Sequence, residues 1–397
     1  MSTRSRLHEA RGTLGTLACL ALLATVLAAC GGPVFANPPV ARRDATPAPV
    51  ATPRPADPQP VVLPADDAPH DRLTEWWYYT GHLRDETGGR WGFEFVVFRA
   101  ERGSFPVTWA SHLALTNETG GRFHYAQRAE IGPQVDVTAA AGPGFSLGIR
   151  GLDLAEPSAF TRTPWTMTGA DGADHLSAVA GEGEAAGDAS GGFGLGLALA
   201  TTKPAALHDG DGYIDFGPAG GSYYYSRTAM TAAGTIAVGD RALAVDGTAW
   251  FDHQWGDFIS VGAGGWDWFA VNLDDGTDIT ISLVRAADGS YPLVYGTLVD
   301  ADGATRHLGG TDLRVEVEGD WTSPATGTTW PAGWTVTLPA EDLVIRLEPS
   351  VAQQELDTRA TTGVIYWEGS QRVSATRAGR TLGGEAYVEL TGYAAGR

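Results

Sequence analysis

The 397-residue chain is short of several residue types on which familiar chemistries depend. Its two cysteines, Cys19 and Cys30, fall in the first thirty positions. Lys203 is the one lysine, so Schiff-base chemistry has a single candidate and no supporting residues. Basic residues are outnumbered 27 to 47, a formal charge of −20, which argues against nucleic acid and against an electrostatic grip on anionic lipid. No His or Cys pair has zinc spacing, and Asp209-Gly210-Asp211-Gly212 lacks the longer ligand series of a calcium loop. No metal site and no cofactor is therefore expected. Helical periodicity is also nearly absent after residue 70, and the only long apolar run is at the N-terminus.

That run, Leu14 to Ala29, comes after Arg4, Arg6 and Arg11 and ends in Leu27-Ala28-Ala29-Cys30. A positive flank, an apolar stretch shorter than the ~20 residues of a membrane span, and small residues before the break predict a secretory signal over 1–30. Cys30, before Gly31 and Gly32, resembles the lipidation site of a bacterial lipobox. Cys19 leaves with the signal, so the exported chain has no disulfide and depends on core burial. Residues 31–69 hold 11 prolines in 39 positions and read as a disordered tether from a lipid anchor on the extracytoplasmic side of a bacterial membrane.

Beyond residue 70 the chain consists of short alternating runs broken by Gly, Asp and Asn, such as Arg90 to Phe98, Phe193 to Leu199 and Thr277 to Leu283. They predict an all-β protein of antiparallel hairpins, with 170–192, rich in Ala, Gly, Asp and Glu, as a long mobile loop. Trp76-Trp77-Tyr78-Tyr79 to Asp85 also lies over Trp266-Asp267-Trp268-Phe269 to Asp275 at an ungapped offset of 190, and Phe93 to Arg99 lies over Ile279 to Arg285. One hairpin used twice predicts tandem domains, 70–258 and 259–397, as closed antiparallel β-barrels. A barrel of about eight strands has room for a small apolar ligand.

Ala249 to Asp257 is the densest stretch of chemistry. Alternation puts Trp250, Asp252 and Gln254 on one face and Phe251, His253 and Trp255 on the other. A histidine between two aromatics is either a satisfied core residue or a functional one, and nearby Asp252 and Asp257 favour function. Glu75 is placed to meet His253 or Arg99 in a buried pair that is structural or catalytic, while His112 divides evenly between site and core and His70 reads as structural or exposed. Gly144-Phe145-Ser146-Leu147-Gly148 matches G-x-S-x-G, but no helix comes after it, so it is not a nucleophile elbow.

Glu75-Trp76-Trp77-Tyr78 with Gly81-His82-Leu83, Ser111-His112-Leu113-Ala114, Lys203-Pro204 with Leu207-His208, Ser222 to Ser226, Ala249 to Trp255, Tyr366-Trp367-Glu368-Gly369 and Gly384 to Tyr393 occur in the order of the carotenoid 1,2-hydratase-like, or AttH-like, proteins. The chain resembles that family over about residues 66–395. The resemblance implies two tandem lipocalin-like β-barrels, and water addition to a C=C bond of a hydrophobic, isoprenoid-type substrate. It puts the family's His-x-Trp on His253 and Trp255, but Thr280 and Ser282 on the places of a hydratase Tyr and Asp. Asp278, Asp252, Asp257 and Asp267 are then substitute acids.

The expected catalytic set is His253, as base or orienting group, with Trp255, Asp252, Asp257 and Glu75. Trp76, Tyr78, His112, Tyr224, Trp266 and Trp268 are expected to bind a lipophilic small molecule. The alternative is a lipocalin-like carrier without catalysis. Glu75 and His82 face Gly265 and Asn272 in the second hairpin copy, and those differences mark them for function.

Overall fold

A computed structural model describes residues 56–151, 162–188, 191–258 and 264–394. The signal, Cys30 and most of the tether lie outside the described residues. Where it is described, the chain is almost entirely antiparallel strand, in a sheet of thirteen strands, a sheet of ten and a separate two-stranded ribbon.

The first sheet centres on Gly221–Val238, Arg241–Gly256, Thr74–Asp85, Arg90–Arg102 and Phe105–Asn117, joined in that order. It curls around Trp77, Tyr79, Phe93, Phe95, Phe251 and Trp255, large side chains that fill the interior where a barrel ligand is expected. Closure is expected as well, but among the described residues the order runs from Phe145–Ile149 to Ala186–Gly187 with no ladder joining the ends. A two-residue edge strand presents little to a neighbour, so the edge hazard is reduced without closure. The second sheet curls in the same way around Phe269, Ile279, Ile281, Trp334 and Trp367.

The repeated hairpin keeps its register. Trp76 pairs with Phe98 in the first copy and Trp266 with Val284 in the second, each one step from Arg99 or Arg285. Both Trp76 and Trp266 face outward from their own sheet's interior.

Two expectations need correction. Residues 170–192 are not one mobile loop, because Trp165–Ala170 and Ala173–Ala180 form a hairpin through Asp171 and Gly172, both at positive φ. Its inward positions are Asp174, Leu176, Ala178 and Ala180. Acidic residues and glycine keep mean hydropathy low over 170–192, yet the period of two is intact over 173–180. Residues 56–69, the end of the expected tether, pack on the first sheet. The buried Asp67 carboxylate accepts from Arg227 at 2.9 and 3.1 Å, from Tyr225 at 2.5 Å and from the Asp171 amide at 2.7 Å, while its carbonyl accepts from the Trp77 indole at 3.2 Å. A carboxylate with that many donors anchors a segment whatever its proline content.

The sheets dock through the outer face of the first. Tyr78, Val96 and Trp250 pack on Trp268, Ala270 and Tyr387 of the second. Ala114 and Phe123 pack on Leu356 and Tyr366, and Ile214 and Tyr224 on Val284 and Tyr295. Strand Thr74–Asp85 is thus buried on both faces, odd residues toward the first sheet's interior and even residues toward the second sheet.

Candidate active site

That parity divides the expected site in two. On the inner face, Glu75 Oε1 lies 3.0 Å from His253 Nε2 and 2.7 Å from His70 Nδ1, and Oε2 is 3.9 Å from Arg99. The His70 ring stacks parallel on Trp255 at 4.1 Å, and His253 stacks on Trp77 at 4.7 Å. Burial pushes the Glu75 carboxyl up, but hydrogen bonds from His253 and His70 outweigh it and hold the group below its ordinary value. Burial also pushes His253 down, so this ring is neutral. His70, expected to be structural or exposed, comes from the anchored segment and bonds Glu75 through its ring and its backbone amide.

On the outer face, Asp252 accepts from Tyr224 at 2.5 Å, from Trp250 Nε1 at 2.7 Å and from Ser226, and burial pushes it up to about 6. Trp268 Nε1 donates to Tyr224 at 3.1 Å. Alternation assigns Asp252 and His253 to opposite faces, and the structure agrees. His253, Trp255 and Glu75 therefore cannot act on one substrate atom together with Asp252, Tyr78 and Tyr224. Asp257, just past the strand's end, bonds Arg72 at 2.9 Å and is in neither hydrogen-bonded group. Trp266 is 38 % exposed, and Trp76 meets Phe98 and Phe258 edge-on.

The outer face also holds three acids outside the expected catalytic set. Glu94 comes from strand Arg90–Arg102, Glu368 from Ile365–Arg377 and Glu389 from Arg380–Leu390. Glu368 and Glu389 sit opposite each other in the ladder. Tyr78 donates to Glu368 Oε1 at 2.6 Å and Tyr366 to Glu94 Oε1 at 2.8 Å, while Oε2 of both acids is buried with no partner among the described residues. Burial, with the charge of Glu389, pushes Glu94 up to about 8; burial pushes Glu389 up to about 7. Burial together with Glu94 and Glu389 drives Glu368 well above the carboxylate range. His112, expected to belong to site or core, faces the interface: Nδ1 lies 2.7 Å from the Tyr366 hydroxyl and Nε2 3.0 Å from Thr361. Burial pushes it down to about 3, so it works as a neutral hydrogen-bonding group.

A sequence signal for these acids exists. Phe95-Val96-Val97-Phe98 is apolar at every position, the mark of a strand buried on both faces, so Glu94 beside it is not a solvent-facing residue. Thr280 and Ser282 face this interface too, and the Thr280 hydroxyl has no partner among the described residues. Asp278, one of the substitute acids, is taken by Lys203 at 2.7 Å, Thr228 at 2.7 Å and Asn272 at 2.7 Å. Asp267 is held by Tyr291 at 3.1 Å and Tyr393 at 3.0 Å.

Space at the interface is graded. A cavity of about 10 Å³ lies among Thr80, His82, Trp250, Ala270, Asn272 and Tyr387. A cleft of about 380 Å³ between the sheets is lined by Arg84, Arg90, Thr248, Asn272 and Glu385, and it shares Thr248 and Asn272 with the cavity. The first is the size of one water and the second that of a small-ligand site. The Tyr387 hydroxyl, with no hydrogen-bond partner among the described residues, is close enough to Glu368 and Glu94 for their charge to add to its burial in raising its pKa. His82 and Asn272, equivalent positions in the two hairpins, meet at this cavity.

Comparisons with known proteins agree on the architecture. A profile of the AttH-like family matches residues 54–393. An AttH crystal structure from Nitrosomonas europaea is similar at a TM-score of 0.71 with 29% identity, covering 86% of this chain and 100% of that one. Kievitone hydratase from Nectria haematococca is similar at a TM-score of 0.62 with 15% identity, over 84% of this chain and 93% of that one, a likeness of fold. Dehydratase asqC of Emericella nidulans is 28% identical over 168 residues. That match takes in 40% of this chain and 46% of the dehydratase, so under half of the curated relative's length is spanned.

Proposed function

The chain belongs to the AttH-like family, and from that premise we propose that it is a hydratase- or dehydratase-type lyase acting on a hydrophobic, isoprenoid-type substrate between its two sheets. The observation that carries the reading is a group of three glutamates that burial pushes above the ordinary carboxylate range, Glu94 and Glu368 fully buried, each with an oxygen unpartnered among the described residues, and Glu389 partly buried beside them. Protonating an alkene needs a carboxylic acid that is still protonated at working pH, which burial among tyrosines and other acids provides. The relatives that carry hydratase and dehydratase names support the reaction class.

In the forward direction Glu94 or Glu368 transfers its proton to one alkene carbon. The faces of Trp250 and Trp268 stabilise the cation at the other carbon. A water in the small cavity adds its oxygen to that cation and returns a proton to the carboxylate. Dehydration is the same sequence reversed, with the hydroxyl leaving as water. Tyr78 and Tyr366 orient the acids, and His112 holds Tyr366. His253, Trp255 and Glu75 have no part in proton transfer here and support the interior of the first sheet. Cys30, lipidated, would tether this site beside a bilayer from which a lipophilic substrate could enter the cleft.

The test is incubation of purified protein with lycopene or neurosporene, and separately with their hydroxylated counterparts, in water enriched in oxygen-18. Mass spectrometry should show gain or loss of one water, strongly slowed in Glu94→Gln or Glu368→Gln. Retention of the unchanged carotenoid, with no turnover, would establish the carrier function instead. Turnover undiminished in both variants would remove the acids from the reaction.

A further inference from the structure

The inner-face cluster is unused by the reaction proposed above, and the inference drawn from it does not depend on that reaction. Its donor atoms come from three places in the chain. His70 ends the anchored segment, Glu75 lies on strand Thr74–Asp85, and His253 lies on Arg241–Gly256. One ligand atom from each falls within 4.8 Å of the others, and all three side chains are buried or nearly so. We propose that His70, Glu75 and His253 form a binding site for a divalent transition ion of the zinc class.

The donor set selects the ion. Two imidazole nitrogens and one carboxylate oxygen suit zinc and its neighbours, whereas magnesium and calcium require oxygen ligands. The rings are held before any ion binds, His70 against Trp255 and His253 against Trp77. The His70 amide donates to both Glu75 oxygens, at 2.9 and 3.1 Å, and fixes the carboxylate. The His253 ring is fully buried and, among the described residues, its Nδ1 has no partner and its polar contact is through Nε2 toward Glu75 Oε1. Behind His70, Asp66 Oδ1 lies 3.5 Å from Nε2, the position of a carboxylate that orients a ligating imidazole.

Formal charge also fits. Glu75 and Asp66 bring two negative charges, both facing His70, and Arg99, 3.9 Å from Glu75, is shared with Glu101. A divalent ion balances the pair of carboxylates. It would pin the segment that carries His70 to the two strands beneath it. Sequence spacing could not reveal such a site, because 178 residues separate Glu75 from His253.

The test uses the full chain, dialysed against a chelator and then titrated with Zn²⁺ and Co²⁺. Calorimetry should give one ion per chain, and bound Co²⁺ should show the strong visible absorption of low coordination number. Thermal stability should rise with added Zn²⁺, as it does for any ligand that binds only the folded state. His70→Asn, at the most accessible of the three positions, should abolish both signals while keeping the native circular dichroism. Asp66→Asn should weaken binding about tenfold. Absence of binding overturns the proposal, as does Zn²⁺ binding that survives His70→Asn, or equal binding of Mg²⁺.

Discussion

Glu75 and Glu94 are both fully buried carboxyls on neighbouring strands, and the structure drives them in opposite directions. Glu75 points into the first sheet, where two histidines and a backbone amide donate to it, and its carboxylate is held ionised. Glu94 points out of the same sheet toward the second, where its one donor among the described residues is the neutral Tyr366 and other acids lie nearby. Burial raises both. The sign is decided by what stands opposite, since basic partners favour the charge and acidic ones oppose it. One face of the fold therefore stores a charge, and the other stores a proton.

The largest expected effect breaks the proton-storing side. Glu94→Gln and Glu368→Gln are isosteric and neutral, so folding should be unimpaired while turnover falls by about 10²- to 10⁴-fold, the usual contribution of a positioned acid. Rates from mass spectrometry beside urea unfolding would separate the two effects. The charge-storing side should respond in the opposite way. Glu75→Ala leaves the buried His253 imidazole without its acceptor and removes one of the two carboxylates facing His70, and should lower stability by about 3–5 kcal/mol, the usual result of breaking a buried pair. Chemical denaturation measures it. If Glu75→Ala instead left stability intact, the contrast between the faces would fail.

The same contrast divides what is legible in the sequence from what is not. The repeated hairpin is visible because Trp76, Tyr78 and Tyr79 recur as Trp266, Trp268 and Phe269, and its register holds in the fold. The opposition of Asp252 and His253 is visible because strand alternation has a period of two. What alternation cannot show is which outward face another sheet covers. Glu94 meets Tyr366 across 272 residues and Glu368 meets Tyr78 across 290, so no local pattern joins them. The family's His-x-Trp draws attention to the inner face, and Thr280 and Ser282 draw it to a missing acid. Three acids are present on other strands. The anchoring of Asp67 is hidden for a different reason, since proline content suggests an unpacked chain and says nothing about one carboxylate held by several donors.

Acidity offers a finer probe of the outer face. Glu94 is raised from an ordinary 4.5 to about 8 in the folded protein. Between those values the folded state holds a proton that the unfolded chain has released, so stability is full below about 4.5 and is lost as pH rises through about 8. The thermal midpoint should fall across that window, and Glu94→Gln should flatten the slope. Turnover should decline over the same alkaline limb as the acid ionises. A midpoint that rises from pH 5 to 8, in a protein whose Glu94→Gln variant behaves identically, would contradict the stored proton.

The smallest expected effects come from the two adjacent tyrosines, which differ only in the face they serve. Tyr78 donates to Glu368 at 2.6 Å on the outer face, and Tyr79 donates to Asp174 at 2.7 Å on the inner one. Removing either hydroxyl leaves a buried carboxyl short of a donor, which costs about 1–3 kcal/mol. Tyr78→Phe and Tyr79→Phe should therefore lose similar stability. Their effect on turnover should differ, because Glu368 takes its orientation from Tyr78, whereas Asp174 lies across the first sheet's filled interior. A drop in kcat confined to Tyr78→Phe, at equal loss of stability, would place the chemistry on the outer face independently of any variant that removes an acid.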